Sequence, residues 1–136
     1  MSTDAMLEDV AQYLTTNWVP TFHWEEAKLP ARPPVSTFWV ERMMPSVTDQ
    51  GETLGIWAAV EITMRLYIST VTREKAAQLQ MRDELDNLIT VLANDATLGR
   101  SCLRFTIDPD GVTPLFDEEE KLIVVNIPAT VEPFTS

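Results

Sequence analysis

One cysteine, one histidine and four glycines are all that the 136 residues hold of three chemically telling types. Cys102 alone forbids an internal disulfide, which fits a reducing, intracellular origin more easily than a secreted one. His23 has no second histidine and no nearby cysteine, so a metal site is not supported. The scattered glycines form no phosphate-cradling loop. Basic side chains are scarce as well. Ten stand against 21 acidic ones, and the net charge of −11 divides as −5 over residues 1–70 and −6 over residues 71–136. Holding a nucleic-acid backbone takes clustered Lys and Arg, so this balance argues against that function. It leaves open a position beside DNA without adhesion. No apolar run approaches membrane-spanning length, and residues 1–9 are polar and acidic, with no signal-peptide pattern. The expectation is a cytoplasmic protein with no membrane contact.

What is present is an ordinary apolar fraction, 45%, in a length that suits one domain, 1–136. Residues 54–69 alternate: Ile56, Ala58, Val60, Ile62, Met64, Leu66 and Ile68 against Trp57, Ala59, Glu61, Thr63, Arg65, Tyr67 and Ser69. Period two places these sets on opposite faces of a strand, one apolar and one mixed. The period then changes. Ala77, Met81, Leu85, Leu88 and Leu92 form one stripe of a helix over residues 72–95, with Thr72 as its cap and Gly99 just past its end. The fold class expected is α+β: a mostly antiparallel sheet of about four strands with a long hairpin, one main helix on one face and a short N-terminal helix.

That first helix is capped by Ser2 or Thr3, carries Asp4 in its first turn, and presents Leu7, Val10, Ala11 and Leu14. Residues 19–35, with Trp18 at their head, hold Pro20, Pro30, Pro33 and Pro34, which predict an extended, irregular segment. Trp18, Phe22 and Trp24 make it either a strap pinned over the core or an arm docking on a neighbouring chain. Residues 36–44 alternate with Phe38, Val40 and Arg42 on one face, and pair antiparallel with 54–69. Their connection, 45–53, contains Pro45, Asp49, Gln50 and Gly51 and reads as a long loop. Residues 54–69 exceed the usual strand of about 3–10 residues. Trp57 and Tyr67 on the mixed face are large groups to leave in water, a sign of self-association. A strand over 102–108 ends in a turn at 108–111. Residues 112–116, the acidic run 117–120 and a last strand over 121–128 follow, with 129–136 as a tail.

No constellation carries chemistry well. Thr106, Asp108, Asp110, Gly111 and Asp117 match the spacing of a calcium loop, but with Thr first, Asp last and strand-like flanks; a hairpin turn accounts for them without an ion. Cys102 sits on an expected strand far in sequence from His23, without a catalytic motif. Carboxylates are plentiful and none is singled out as acid or base. The expectation is no enzyme, no metal and no cofactor.

The order of elements resembles that of tail terminator and tail-completion proteins of long-tailed bacteriophages. The likeness spans the leading helix (4–14), the extended aromatic segment, the long hairpin (37–44 with 54–69), the central helix and two closing strands (102–107, 122–127). Arg82-Asp83-Glu84-Leu85, running on to Leu92-Ala93-Asn94-Asp95-Ala96-Thr97-Leu98-Gly99, is similar in character to the helix end and turn of such proteins. The resemblance is architectural and carries over no functional residue. It implies a structural virion protein of the tail, assembled in the host cytoplasm as a homo-oligomeric ring, commonly a hexamer. That ring sits on the last ring of tail-tube protein, stops its growth and presents a face to the head–tail connector. DNA passes through without specific binding. On this reading Trp57, Tyr67, Asp49, Gln50 and Gly51 belong to an oligomer or tube interface. Asp108, Asp110, Asp117, Glu118, Glu119 and Glu120 would line an acidic bore that repels phosphates. A phage neck or tail-tube component, or a non-viral α+β dimer binding a small molecule, are the alternatives.

Overall fold

The computed structural model describes residues 2–23, 31–71 and 74–134. Helix α1 (Thr3–Asn17) starts at Ser2, whose hydroxyl oxygen accepts the Ala5 N–H at 3.1 Å, with Asp4 in the first turn. Strand β1 (Thr21–His23) follows, then the long hairpin of β2 (Val35–Val47) and β3 (Thr53–Ser69). Helix α2 (Glu74–Asn94), β4 (Arg104–Ile107), β5 (Thr113–Asp117) and β6 (Leu122–Glu132) complete the order. The helix cap expected at Thr72 lies outside the described residues, as do Trp24 and Pro30.

The sheet has six strands rather than about four, in the order β1-β2-β3-β6-β4, with β5 also on β6. It is mixed: β1 runs parallel to β2, and the other pairs are antiparallel. The prolines around β1 hid it, because three residues between Pro20 and the following segment carry no alternation to read. The other addition, β5, comes from the closing part of the chain, where β4 answers to the strand expected over 102–108. β4 and β5 are successive lengths on the same edge of β6, pairing with residues 129–132 and 122–126 respectively. The turn at 108–111, held by the Gly111 N–H donating to the Asp108 carbonyl at 3.0 Å, therefore interrupts an edge instead of closing a hairpin. The hairpin reversal falls in the acidic run between Asp117 and Leu122. Cys102 is buried in the turn before β4, not on a strand.

Both helices cover one face and share one apolar cluster. From α1 come Met6, Leu7, Val10, Ala11 and Leu14. From the strands come Phe38, the even-numbered run Val60 to Ile68, and the odd-numbered run Ile123 to Val131. Helix α2 lies over β3 and β6 and contributes Ala77 and Leu88 fully. Met81, Leu85 and Leu92, on the stripe read from the sequence, are half-buried. The Trp18 indole N–H donates to the Glu84 carbonyl at 2.8 Å, fastening the end of α1 to the middle of α2. Among the described residues of that segment, Trp18 is thus pinned against the core as a strap would be. The tail expected from residue 129 is strand up to Glu132.

Candidate functional site

The hairpin is where the chain departs most from what a core requires. Of the 17 residues of β3, ten pair with β6, from Val60 to Ser69, and the remaining seven run past the sheet. The far part of β2 accompanies them, with pairs as distant as Met44↔Ala59, Pro45↔Trp57 and Val47↔Thr53. The result is a two-stranded arm about 20 Å long at ordinary strand rise. Register shifts at Val40/Arg42, Met44/Pro45 and Pro45/Val47 interrupt its ladder. The first shift turns Arg42 onto the side of Glu61, with which it forms an ion pair at 2.9 Å; Arg42 does not share the face of Phe38 and Val40 as alternation alone implies.

The connection is shorter than expected. Residues 48–52 form a compact turn, in which the Thr48 N–H donates to the Glu52 carbonyl and the Gly51 N–H to the Thr48 carbonyl, at 2.8 and 2.9 Å. Gly51 takes φ +84°, the left-handed conformation such a turn demands. Asp49, Gln50 and Gly51 stand exposed at its apex. The excess length predicted for a loop belongs to the strands instead. Pro45 disguised this, since proline is tolerated where a strand's outer edge is unpaired. Apolar groups nevertheless face water along the arm: Val47 is 53% exposed, Leu54 55% and Trp57 41%.

Beside the arm lies a cleft of about 550 Å³, lined by Met6, Ile56, Trp57, Pro133 and Phe134 together with Ser2, Thr3, Gly55 and Ser101. It opens where β3–β6 pairing ends at Val60↔Val131 and Pro133 takes the chain out of register with the arm. None of its lining side chains is charged. Neither Arg100 nor Arg104 is among its lining residues: Arg100 belongs to a separate depression with Asp9, Tyr13 and Asn17, and Arg104 pairs with Glu132 at 3.8 Å.

Tyr67 does not join Trp57. Nine residues of extended strand separate them, and Tyr67 lies on the helix-free face of the sheet. That face carries a polar network the sequence did not single out. The Arg65 guanidinium sits 4.8 Å over the Trp39 ring, and its Nε–H donates to the Asn126 side-chain oxygen at 2.9 Å. The Trp39 indole N–H and the Thr63 hydroxyl both donate to Glu41 Oε1, at 2.7 and 3.0 Å. Strict parity across β2, β3 and β6 is the signal that would have assembled these residues. It was missed because Asn126 lies 61 residues from Arg65.

The acidic residues form two groups along the outer edge of the sheet. Asp108 and Asp110 belong to the interruption near Pro128, while Asp117 starts, and exposed Glu118, Glu119 and Glu120 occupy, the β5–β6 turn. The Asp108 carboxylate accepts the Asp110 N–H at 2.9 Å and the Asp117 carboxylate accepts the Glu120 N–H at 3.1 Å. These are turn-forming bonds. The calcium spacing is not realised as one loop, since Thr106 and Asp117 lie on separate strands. Among the described residues no three His, Cys, Asp or Glu side chains converge as metal ligands. His23 stacks on Phe38 at 5.1 Å and stands 3.7 Å from Glu8.

The turn after α2 is the most heavily bonded polar site. Asp95 accepts the Thr97 N–H, the Thr97 hydroxyl and the Gly99 N–H at 2.9, 2.6 and 2.9 Å. These bonds, the Thr97 hydroxyl foremost, hold its carboxyl below the ordinary value of 3.8. Burial, aided by the Asp95 charge, pushes the Cys102 thiol up to about 12, so it is protonated and a poor nucleophile near neutrality. No protein-family model matches the chain, and no curated protein matches it.

Proposed function

We propose that this chain is the subunit of a ring that caps the tail tube of a long-tailed bacteriophage, ends its polymerisation and forms the surface for head–tail joining. The observation that carries this is the arm. A two-stranded ribbon is marginal in water by itself, and this one exposes Val47, Leu54 and Trp57 in a chain of net charge −11. Such a ribbon gains most when it lies on another chain, whether a second copy or the tube. The bore reading of the acidic edge, the hexameric state and the location in the virion belong to this same proposal.

The experiment removes the arm and spares the sheet. Met44 and Ala59 are paired, so residues 45–58 can be replaced by a two-residue Asn-Gly turn of the kind that joins such strands. The shortened subunit is expected to fold, by circular dichroism, yet to elute as a monomer in size-exclusion chromatography with light scattering and to leave tails unfinished. Tail completion at the full rate would overturn the proposal. The cleft favours a second reading, a dimer that binds a small apolar molecule. A native mass spectrum of purified protein showing a dimer with a retained small molecule would favour it over the ring.

A further inference from the structure

We infer that the open edge of the arm, residues 53–59, pairs antiparallel with the same edge of a second copy. Pairing of β3 with β6 ends at Val60↔Val131, and Pro133, with no N–H to donate, ends the ladder on that side. Among the described residues, 53–59 therefore have a strand neighbour, β2, on one side only. Their outward N–H and C=O groups form a row that another strand completes, and folded chains blunt such rows with charge, proline or interruption. Residues 53–60 carry no charge and no proline. Gly55, left-handed at φ +76°, bulges the run once. No atom lies within 4 Å of its missing Cβ, so the bulge leaves the edge open to an approaching backbone. The same run walls the uncharged cleft through Gly55, Ile56 and Trp57, so an added strand lays its side chains toward Met6, Pro133 and Phe134.

The other edges of the chain decide what the partner offers. Beyond its pairing with β1, the free side of β2 carries Glu41, Arg42 and Pro45. β1 and β4 present three and four residues, and β5 holds Pro114. Among the described residues, a second copy thus has only its own 53–59 to set against this edge. An antiparallel pair is its own mate under a two-fold axis, so one edge serves both copies. Centred on Ile56, the pairing uses all seven residues left unpaired by β6 and sets Leu54 opposite Ala58 of the second copy. The uncharged run is also where two chains of net charge −11 approach with the least repulsion. A two-fold contact yields pairs and closes no larger ring, so the pairing goes beyond the ring reading and stands apart from it. Seven residues a side fall short of the roughly 20–30 of a standard interface, which makes the pair a reversible one.

Sedimentation velocity over a concentration series tests this. Wild-type protein is expected to pass from monomer to dimer as concentration rises. Leu54→Lys with Ala58→Lys places charge on the edge and is expected to raise the dissociation constant about tenfold or more, with circular dichroism unchanged. Added lysines lower the net negative charge, so this loss cannot come from overall repulsion. Leu115→Lys, exposed on β5, is the control, and association is expected to stay as it was or strengthen. Disulfide linking reads the register, since Cys102 is buried. Leu54→Cys mixed with Ala58→Cys is expected to give linked dimers, and either alone few, because Cα atoms more than about 7 Å apart cannot be bridged. A monomer at every concentration, an assembly indifferent to the two lysines, or equal linking with and without mixing would overturn the pairing.

Discussion

At the scale of the residue, the turn after α2 concentrates more constraint than any other described stretch. Leu98, Gly99 and Arg100 are all left-handed, at φ +49°, +68° and +66°, and a Cβ on Gly99 would meet the Tyr13 ring at 2.9 Å. The three bonds to Asp95 hold this path. Gly99→Ala is expected to destabilise by about 1–3 kcal/mol in denaturant melts, since both the dihedral and the contact oppose it. Asp95 adds a pH dependence of definite sign. Its folded carboxyl is depressed, so its contribution is complete above 3.8 and is lost as pH falls through the lower folded value. In Asp95→Asn that component of acid sensitivity is expected to vanish, measured as the slope of melting temperature against pH between about 5 and 2. The sequence announced Gly99 as a helix stop. It could not announce Tyr13, which arrives from α1 86 residues earlier.

At the scale of the element, period decided what could be read. The stripe of α2 and the apolar face of β3 were visible because both repeat over many residues. The buried Leu88 and half-buried Leu85 both lie on that stripe, but they are not buried to the same depth. Leu88→Ala is expected to cost roughly 2–5 kcal/mol and Leu85→Ala less; equal losses in urea titrations would contradict that difference. β1 and the arm were not visible for opposite reasons. β1 is too short for any period, and the arm hides behind Pro45, Gly51 and Gly55, which look like loop residues. Of the site residues, Trp57 and the apex 49–51 were legible as unusual surface. The cleft was not, because its walls come from α1, the arm and the chain's end.

For the whole molecule the decisive quantity is charge. An excess of 11 negative charges keeps copies apart unless an apolar contact overrides it, so assembly is expected to strengthen with salt until repulsion is screened. The β5–β6 turn projects Glu118, Glu119 and Glu120 beyond the sheet, where reversal to Lys costs little stability. If these residues face the path of DNA in the ring, a purified ring carrying Glu118→Lys, Glu119→Lys and Glu120→Lys is expected to retain duplex on a filter at low salt. The wild-type ring is expected to let it through. Equal retention by both would place the turn on the outer wall.

The interruption at 108–111 bears on how the folded chain avoids aggregation. An open sheet edge invites another chain to pair with it, and the outer border of this sheet is such an edge. The break divides that border into runs of four and five residues, and the second contains Pro114. Neither run is a template long enough to recruit a strand. Removing the break, by deleting residues 109–111, would turn that border into a seed for fibrils.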